Sequence, residues 1–164
     1  MYKENDYIIY KRDVCRVREV KKNRMNGNLS YILIPINDES LIIETPVDNR
    51  MGYIRDVISR KDAEDLIEKI PSIPILENID DKYIEKTYKE LLYSGSLEDL
   101  ITIIKTTYLR NNERTKANKK VSDKDKTYFE KAEDYLYNEL SVALSMSFDD
   151  TKEYIIHKVE EFIK

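Results

Sequence analysis

Tyr31–Ile58 reads YILIPINDESLIIETPVDNRMGYIRDVI, and its punctuation decides the fold. Two β-branched runs, Tyr31–Ile36 and Leu41–Thr45, flank Asn37-Asp38-Glu39, and Pro46 and Asp48-Asn49 follow. That order predicts a strand, a tight turn, a strand and a proline exit. Upstream, Asp6–Tyr10 and Val14–Lys21 are short runs able to pair with it. Arg16 and Arg18 stand at alternate positions of the second run, which predicts a strand with one wet face. Asn26-Gly27 supplies two residues that tolerate the positive φ of a primed hairpin turn, and Leu29–Ile36 returns as the partner strand. Tyr53–Val57 adds a last short strand. Four or five short strands before residue 59 predict a strongly bent antiparallel sheet or a small SH3-like (Tudor-like) barrel.

The texture changes at Ser59. Ser-x-x-Asp recurs at Ser59/Asp62, Ser96/Asp99, Ser122/Asp125 and Ser147/Asp150, each time ahead of apolar residues at helical spacing. A serine hydroxyl accepts from an orphan first-turn amide, and an aspartate three residues on suits the positive end of the helix dipole. The spacing predicts helices over 60–69, from Asp80 to Ser94-Gly95, and over 97–112, 123–145 and 149–163. Their inward faces carry Ile84, Tyr88, Leu91 and Leu92; then Leu97, Leu100, Ile101, Ile104 and Tyr108; then Phe129, Ala132, Leu136, Leu140 and Ala143; then Ile155, Val159 and Phe162. Pro71 and Pro74 predict a stiff extended connector over 71–79. The fold class is therefore α+β: a β module over 1–58, then an all-α bundle of about five helices over 59–164.

With 164 residues, 41% hydrophobic and 37% charged, the chain can build a core under a heavily charged surface. No apolar run reaches the roughly 18 residues that span a bilayer, and the start lacks the apolar stretch of a signal peptide. Those absences, with one cysteine, predict a soluble cytoplasmic protein in a reducing compartment, without membrane contact. Net charge is −4, yet residues 105–126 carry eight Lys/Arg against three acids, while 59–104 and 127–164 are each net −5. A basic island of this kind is either a phosphate-facing patch or a solvated helix end with its loop.

Three widely spaced glycines, Gly27, Gly52 and Gly95, exclude a Gly-rich phosphate loop. One cysteine, Cys15, and one histidine, His157, cannot make a Cys/His zinc site, and both read as structural residues. Paired acids such as Asp80-Asp81 and Asp149-Asp150 sit at helix starts, where capping already explains them. The thirteen tyrosines mostly fall at helical or strand spacing, where packing with the hydroxyl at the surface is the default and base stacking the alternative. No catalytic constellation and no cofactor site emerge, so an enzyme is the weakest class.

The order of parts resembles the CarD/CdnL family of bacterial transcription regulators, whose N-terminal module is also similar to the polymerase-interacting module of transcription-repair coupling factor. The resemblance rests on Asp6-Tyr7-Ile8-Ile9-Tyr10, Tyr31-Ile32-Leu33-Ile34-Pro35, Pro46-Val47-Asp48-Asn49 and Gly52-Tyr53-Ile54-Arg55-Asp56-Val57-Ile58 in the β module. In the helical part it rests on Tyr88-Lys89-Glu90-Leu91-Leu92-Tyr93-Ser94-Gly95, Val121-Ser122-Asp123-Lys124-Asp125-Lys126 with Ala132, and Glu139-Leu140. It implies no cofactor and no catalysis, and a monomer is the expectation. The β module would bind the RNA polymerase β subunit. The helical domain would contact promoter DNA at the bubble edge and alter open-complex stability. The chain departs from the pattern at Lys11-Arg12-Asp13-Val14, at Glu44, and near Asp81, where the family commonly places a wedge tryptophan.

If the resemblance carries over, strand addition on Leu41–Thr45 places Arg16, Arg18, Lys22, Arg24, Ile42, Ile43, Glu44 and Thr45 toward the polymerase. Weak, sequence-independent DNA contact falls to Lys82, Lys86 and Lys89, with Arg110, Arg114, Lys116, Lys119 and Lys120 of the island. Tyr83 is either a substitute for the tryptophan or a core residue. The competing reading is a protein–protein adaptor, SH3-like plus helical, without DNA binding.

Overall fold

The structure, a computed structural model, describes residues 1–163, and the side chains of residues 1–161. The chain divides into two compact units, Met1–Ile58 and Ser59–Lys164.

The first unit is an antiparallel sheet of β1 (Tyr7–Tyr10), β2 (Asp13–Lys22), β3 (Leu29–Pro35), β4 (Ile43–Pro46) and β5 (Ile54–Asp56), in the order β4-β3-β2-β1-β5. Ile8, Cys15, Val17, Tyr31, Leu33 and Ile54 form its core, with Tyr10, Val20, Ile43 and Val47 packed at the margin. The sheet is strongly bent. Flat, β3 and β5 would lie about 14 Å apart. Yet Tyr2 reaches both, since its backbone amide donates to the Tyr31 hydroxyl at 3.0 Å and its own hydroxyl donates to Asp56.

Local chemistry sets the connections. Lys11, first of the two residues joining β1 and β2, takes a left-handed φ of 58°. The β2–β3 turn is not a two-residue primed turn. Of Asn26-Gly27 only Gly27 has positive φ, and the amide of Gly27 donates to the Asn23 carbonyl at 2.8 Å, closing a wider loop. The start of β4 comes two residues later than its β-branched run predicts. The Asp38 carboxylate accepts from the Ser40 amide at 3.2 Å and the Leu41 amide donates to the Asp38 carbonyl at 3.1 Å, so the turn extends through Leu41. Ahead of β5, the Asn49 carboxamide both accepts from the Ile54 amide, at 3.1 Å, and donates to the Ile54 carbonyl, at 2.8 Å. A bulge at Arg18 shifts the β2–β3 register between Val17 and Glu19. The bulge sets Arg18 and Glu19 together, both exposed, between the inward-facing Val17 and Val20.

The second unit holds α1 (Arg60–Lys69), α2 (Asp81–Leu92), α3 (Leu97–Lys116), α4 (Asp123–Leu144) and α5 (Phe148–Ile163), with a one-turn 3₁₀ helix over Ile70–Ser72. All four Ser-x-x-Asp serines cap as expected, accepting from the amides of Asp62, Asp99, Asp125 and Asp150 at 3.1, 3.3, 3.2 and 3.0 Å. Asp80 caps α2. The expected inward faces are buried or half-buried, apart from Phe162, whose side chain lies outside the described residues. α3 runs one turn beyond the expected end and is buried all round from Leu100 to Thr107. α4 ends at Ser145, a non-glycine residue with φ of 54°.

The connector after α1 opens with the 3₁₀ turn, Pro71 occupying its second residue, and is not extended throughout. One row of α3 side chains then holds its backbone. Thr102 donates to the Pro74 carbonyl at 3.0 Å, Thr106 accepts from the Leu76 amide at 3.0 Å, and the buried Lys105 ammonium donates to the carbonyls of Ile70 and Ile73 at 2.6 and 2.5 Å. No described helix is long and apolar enough to cross a membrane.

Candidate functional site

In the β unit the candidate site is the free edge of β4. In antiparallel pairs, hydrogen-bonded and non-hydrogen-bonded positions alternate. The Val47 amide donates to the Leu29 carbonyl at 3.0 Å, which fixes the phase. Thr45 with Tyr31 and Ile43 with Leu33 are then the pairs that face β3, in the register Tyr31↔Thr45 and Leu33↔Ile43. The backbone polar groups of Glu44 and Pro46 point away from the sheet. Proline has no N–H, so Glu44 offers the one in-strand edge donor, with its own carbonyl and that of Pro46 as acceptors.

Beside this edge lies a groove of about 740 Å³, its walls including Leu29, Glu44, Pro46, Val47, Met51 and Tyr53. Its far wall is held by several contacts. Tyr10 and Tyr53 meet edge to face at 5.9 Å, Lys11 sits 4.8 Å above the Tyr53 ring, and the Lys11 amide donates to the Tyr53 carbonyl at 2.7 Å. Arg50 and Asp48 pair at 2.6 Å at the rim. Apolar walls and an unpaired strand edge suit an extended peptide.

The residues expected to face a polymerase divide. Ile42 and Glu44 are exposed at the edge, whereas Ile43 packs against the core and Thr45 is buried, so neither offers its side chain to a partner. Arg16 and Arg18 lie on β2, with β3 between them and the edge. Arg16 is half-buried and donates to the Asn5 carboxamide at 3.2 Å, while Arg18 pairs with Glu19 at 3.8 Å. Lys22 and Arg24 are exposed at the far end of the β2–β3 hairpin. The structure thus does not assemble these eight residues into one surface.

In the helical unit, Lys82, Tyr83, Lys86 and Lys89 do lie on the exposed side of α2. Tyr83 is 57% exposed and stands beneath the Lys82 ammonium at 5.0 Å, so it is no core residue. Lys89 pairs with Glu85 at 3.9 Å. At the end of α3, Asn118 takes a φ of 56° and the Lys119 amide donates to the Arg114 carbonyl at 2.8 Å. That turn brings Lys119 back beside Arg114 in a cleft of about 430 Å³, which also holds Asp81 and Glu113. Lys116, the last residue of α3, and Lys120, in the loop after it, are exposed.

Arg110, half-buried on the wall of that cleft, is tied into the helix packing. Its Nε donates to Asp125 and its terminal nitrogen to Asp81, both at 2.9 Å, while the Tyr88 hydroxyl donates to the other Asp125 oxygen at 2.9 Å. These four side chains tie α2, α3 and α4 together. The Arg110 guanidinium holds the Asp81 carboxyl below its ordinary range, first by hydrogen bonding and then by charge. Burial, reinforced by Asp125, pushes the Tyr88 phenol up. Asp81 thus has its counter-charge supplied from within the unit.

Sequence reasoning missed the interior charges. Lys105 and Arg110 were counted in the basic island, and Asp125 was read as part of a cap. Burial lowers the Lys105 ammonium to about 8. The available signal was the run Leu100–Tyr108, which is apolar or threonine at every position but Lys105. Glu133 was missed too. It is buried between α4 and α5 with Lys152 at 3.8 Å, and burial pushes its carboxyl up to about 7 against the pull of Lys152. Cys15 is buried and its thiol is pushed up to about 12, by burial first, while His157 is exposed beside Glu161 at 3.4 Å. Among the described residues no three His, Cys, Asp or Glu side chains converge as a metal site requires. In comparisons with known proteins, no protein-family model matches the chain and no curated protein matches it.

Proposed function

We propose that the chain is a transcription regulator of the CarD/CdnL type. Its β unit docks on the β subunit of RNA polymerase through the β4 edge, and its helical unit makes weak, sequence-independent contacts to promoter DNA that modulate open-complex stability. One observation carries this reading: β4 ends the sheet with the Glu44 N–H and C=O directed outward beside a groove with apolar patches and a polar rim. Strand addition needs both an unpaired edge and pockets for alternate side chains. Lys82, Lys86 and Lys89, with Arg114, Lys116, Lys119 and Lys120, supply the phosphate contacts. Arg110, held by two carboxylates, drops out of that set.

A second reading, a protein–protein adaptor without DNA binding, is favoured by the mixed charge around Arg114 and Lys119, where Asp81 and Glu113 share the cleft. Carboxylates there repel phosphate. A pull-down against core RNA polymerase tests the first reading; failure to retain the β subunit sinks it. A regulator that retains polymerase but shows no salt-dependent affinity for a DNA duplex is an adaptor.

A further inference from the structure

The distal part of the β2–β3 hairpin, residues 18–29, carries features that the docking edge does not use. β1 accompanies β2 only along 13–16, so from Glu19 to Lys22 the strand has β3 as its one partner. Residues 21–29 are all exposed. Glu19 is the arm's one acid and is paired with Arg18. Lys21, Lys22 and Arg24 pair with no acid among the described residues. Successive strand residues point to opposite faces, so Lys21 and Lys22 put positive charge on both sides of the ribbon.

The tip is held by hydrogen bonds. The Asn23 amide donates to the Asn28 carbonyl and the Gly27 amide to the Asn23 carbonyl, both at 2.8 Å. The Asn23 carboxamide accepts from the Met25 amide at 2.8 Å, and that of Asn26 from the Asn28 amide at 2.9 Å. This loop presents Met25 at 98% exposure. A lone exposed apolar side chain needs no explanation. An apolar tip on a hydrogen-bonded two-stranded ribbon that is basic on both faces does.

We propose that this hairpin is a binding arm for duplex nucleic acid, with Lys21, Lys22 and Arg24 against phosphates and Met25 entering a groove. A two-stranded ribbon fits a DNA groove, and there it meets a phosphate backbone on each side, which is where its two basic faces point. Apolar tips, methionine among them, wedge at base steps from such positions. The inference goes beyond the function proposed above, which places DNA contact on the helical unit and leaves Lys22 and Arg24 without a role. The chain's net charge of −4 does not oppose it, because contact is set by the local field.

Fluorescence anisotropy of a labelled DNA duplex with the full chain, at about 50 and about 200 mM salt, tests the arm. The combined variant Lys21→Gln, Lys22→Gln, Arg24→Gln is expected to lose at least about tenfold in affinity, with the log–log salt slope reduced by about 2.7, or 0.9 per phosphate contact. Met25→Ser is expected to weaken binding severalfold with an unchanged slope. A companion variant, Lys116→Gln, Lys119→Gln, Lys120→Gln, separates the two readings. Loss of affinity in the companion with none in the hairpin variants overturns the arm and leaves the helical contact standing. Wild-type chain that binds vesicles of anionic phospholipid but not the duplex also overturns it.

Discussion

Arg110 on α3 donates through Nε to Asp125 on α4, which has no exposed side-chain surface. The same guanidinium reaches the exposed Asp81 at the start of α2. The two contacts differ sharply in weight. Removing one partner of a buried pair leaves an uncompensated charge, at about 3–5 kcal/mol, whereas an exposed pair contributes about 0–1 kcal/mol. Arg110→Ala is therefore expected to destabilise the helical unit by about 3 kcal/mol in urea unfolding, and Asp81→Ala by less than about 1 kcal/mol. Equal effects would mean that Asp125 is satisfied without Arg110.

Glu44→Pro separates docking from folding. The Glu44 amide faces outward, so its loss spares the β3–β4 ladder while deleting the in-strand edge donor. Retention of the polymerase β subunit is expected to fall at least about tenfold, as loss of one well-buried hydrogen bond implies. Thermal stability is expected to stay within a few degrees of wild type. Unchanged retention would move the interface away from β4.

Stability is expected to pass through a minimum at neutral pH. Glu133 has its pKa raised to about 7, so the folded state holds a proton that the unfolded state releases above about 4.5. Its contribution is complete at low pH and is lost as pH rises to about 7. Lys105 has its pKa lowered to about 8, so above that pH the unfolded state holds the extra proton and stability climbs. The climb is cleanest between about 8 and 9, before Cys15 and the tyrosines with raised pKa values act in the opposite direction. Urea midpoints across this range should lose the falling limb in Glu133→Gln and the rising limb in Lys105→Met. Parallel profiles in both variants would contradict the assignment.

Ser145→Gly is expected to stabilise. Ser145 ends α4 with φ of 54°, where a side chain costs about 1 kcal/mol relative to glycine. A gain of about 1 kcal/mol, read as an upward shift of the thermal midpoint, is the expected outcome. A loss would show that the serine side chain has a role at that end.

What the sequence disclosed was what neighbours along the chain decide. The four capping serines were legible because a hydroxyl and an amide three residues apart need nothing else. The strands were legible because Tyr31–Ile58 alternates runs with turn residues. The bulge at Arg18 was not, since it arises from how two strands count against each other. The late start of β4 depends on where the Asp38 side chain turns. Lys105, Arg110 and Asp125 were misread for a related reason: a local charge count cannot distinguish an ion pair across helices from a solvated face. Of the candidate site, the β4 edge was visible from Leu41–Thr45 and Pro46. The inward turn of Ile43 and Thr45 follows only once the register is known.

The row Thr102, Lys105 and Thr106 has a consequence for the order of unfolding. Leu76 lies in a segment with neither helix nor strand, and by its local conformation its amide should exchange with solvent within seconds to minutes. It is instead bonded to the buried Thr106 hydroxyl, inside the stretch of α3 that is buried at every position. Amide hydrogen exchange at Leu76 should then follow the opening of α3, so that a proline-rich connector is among the last parts of the chain to let go.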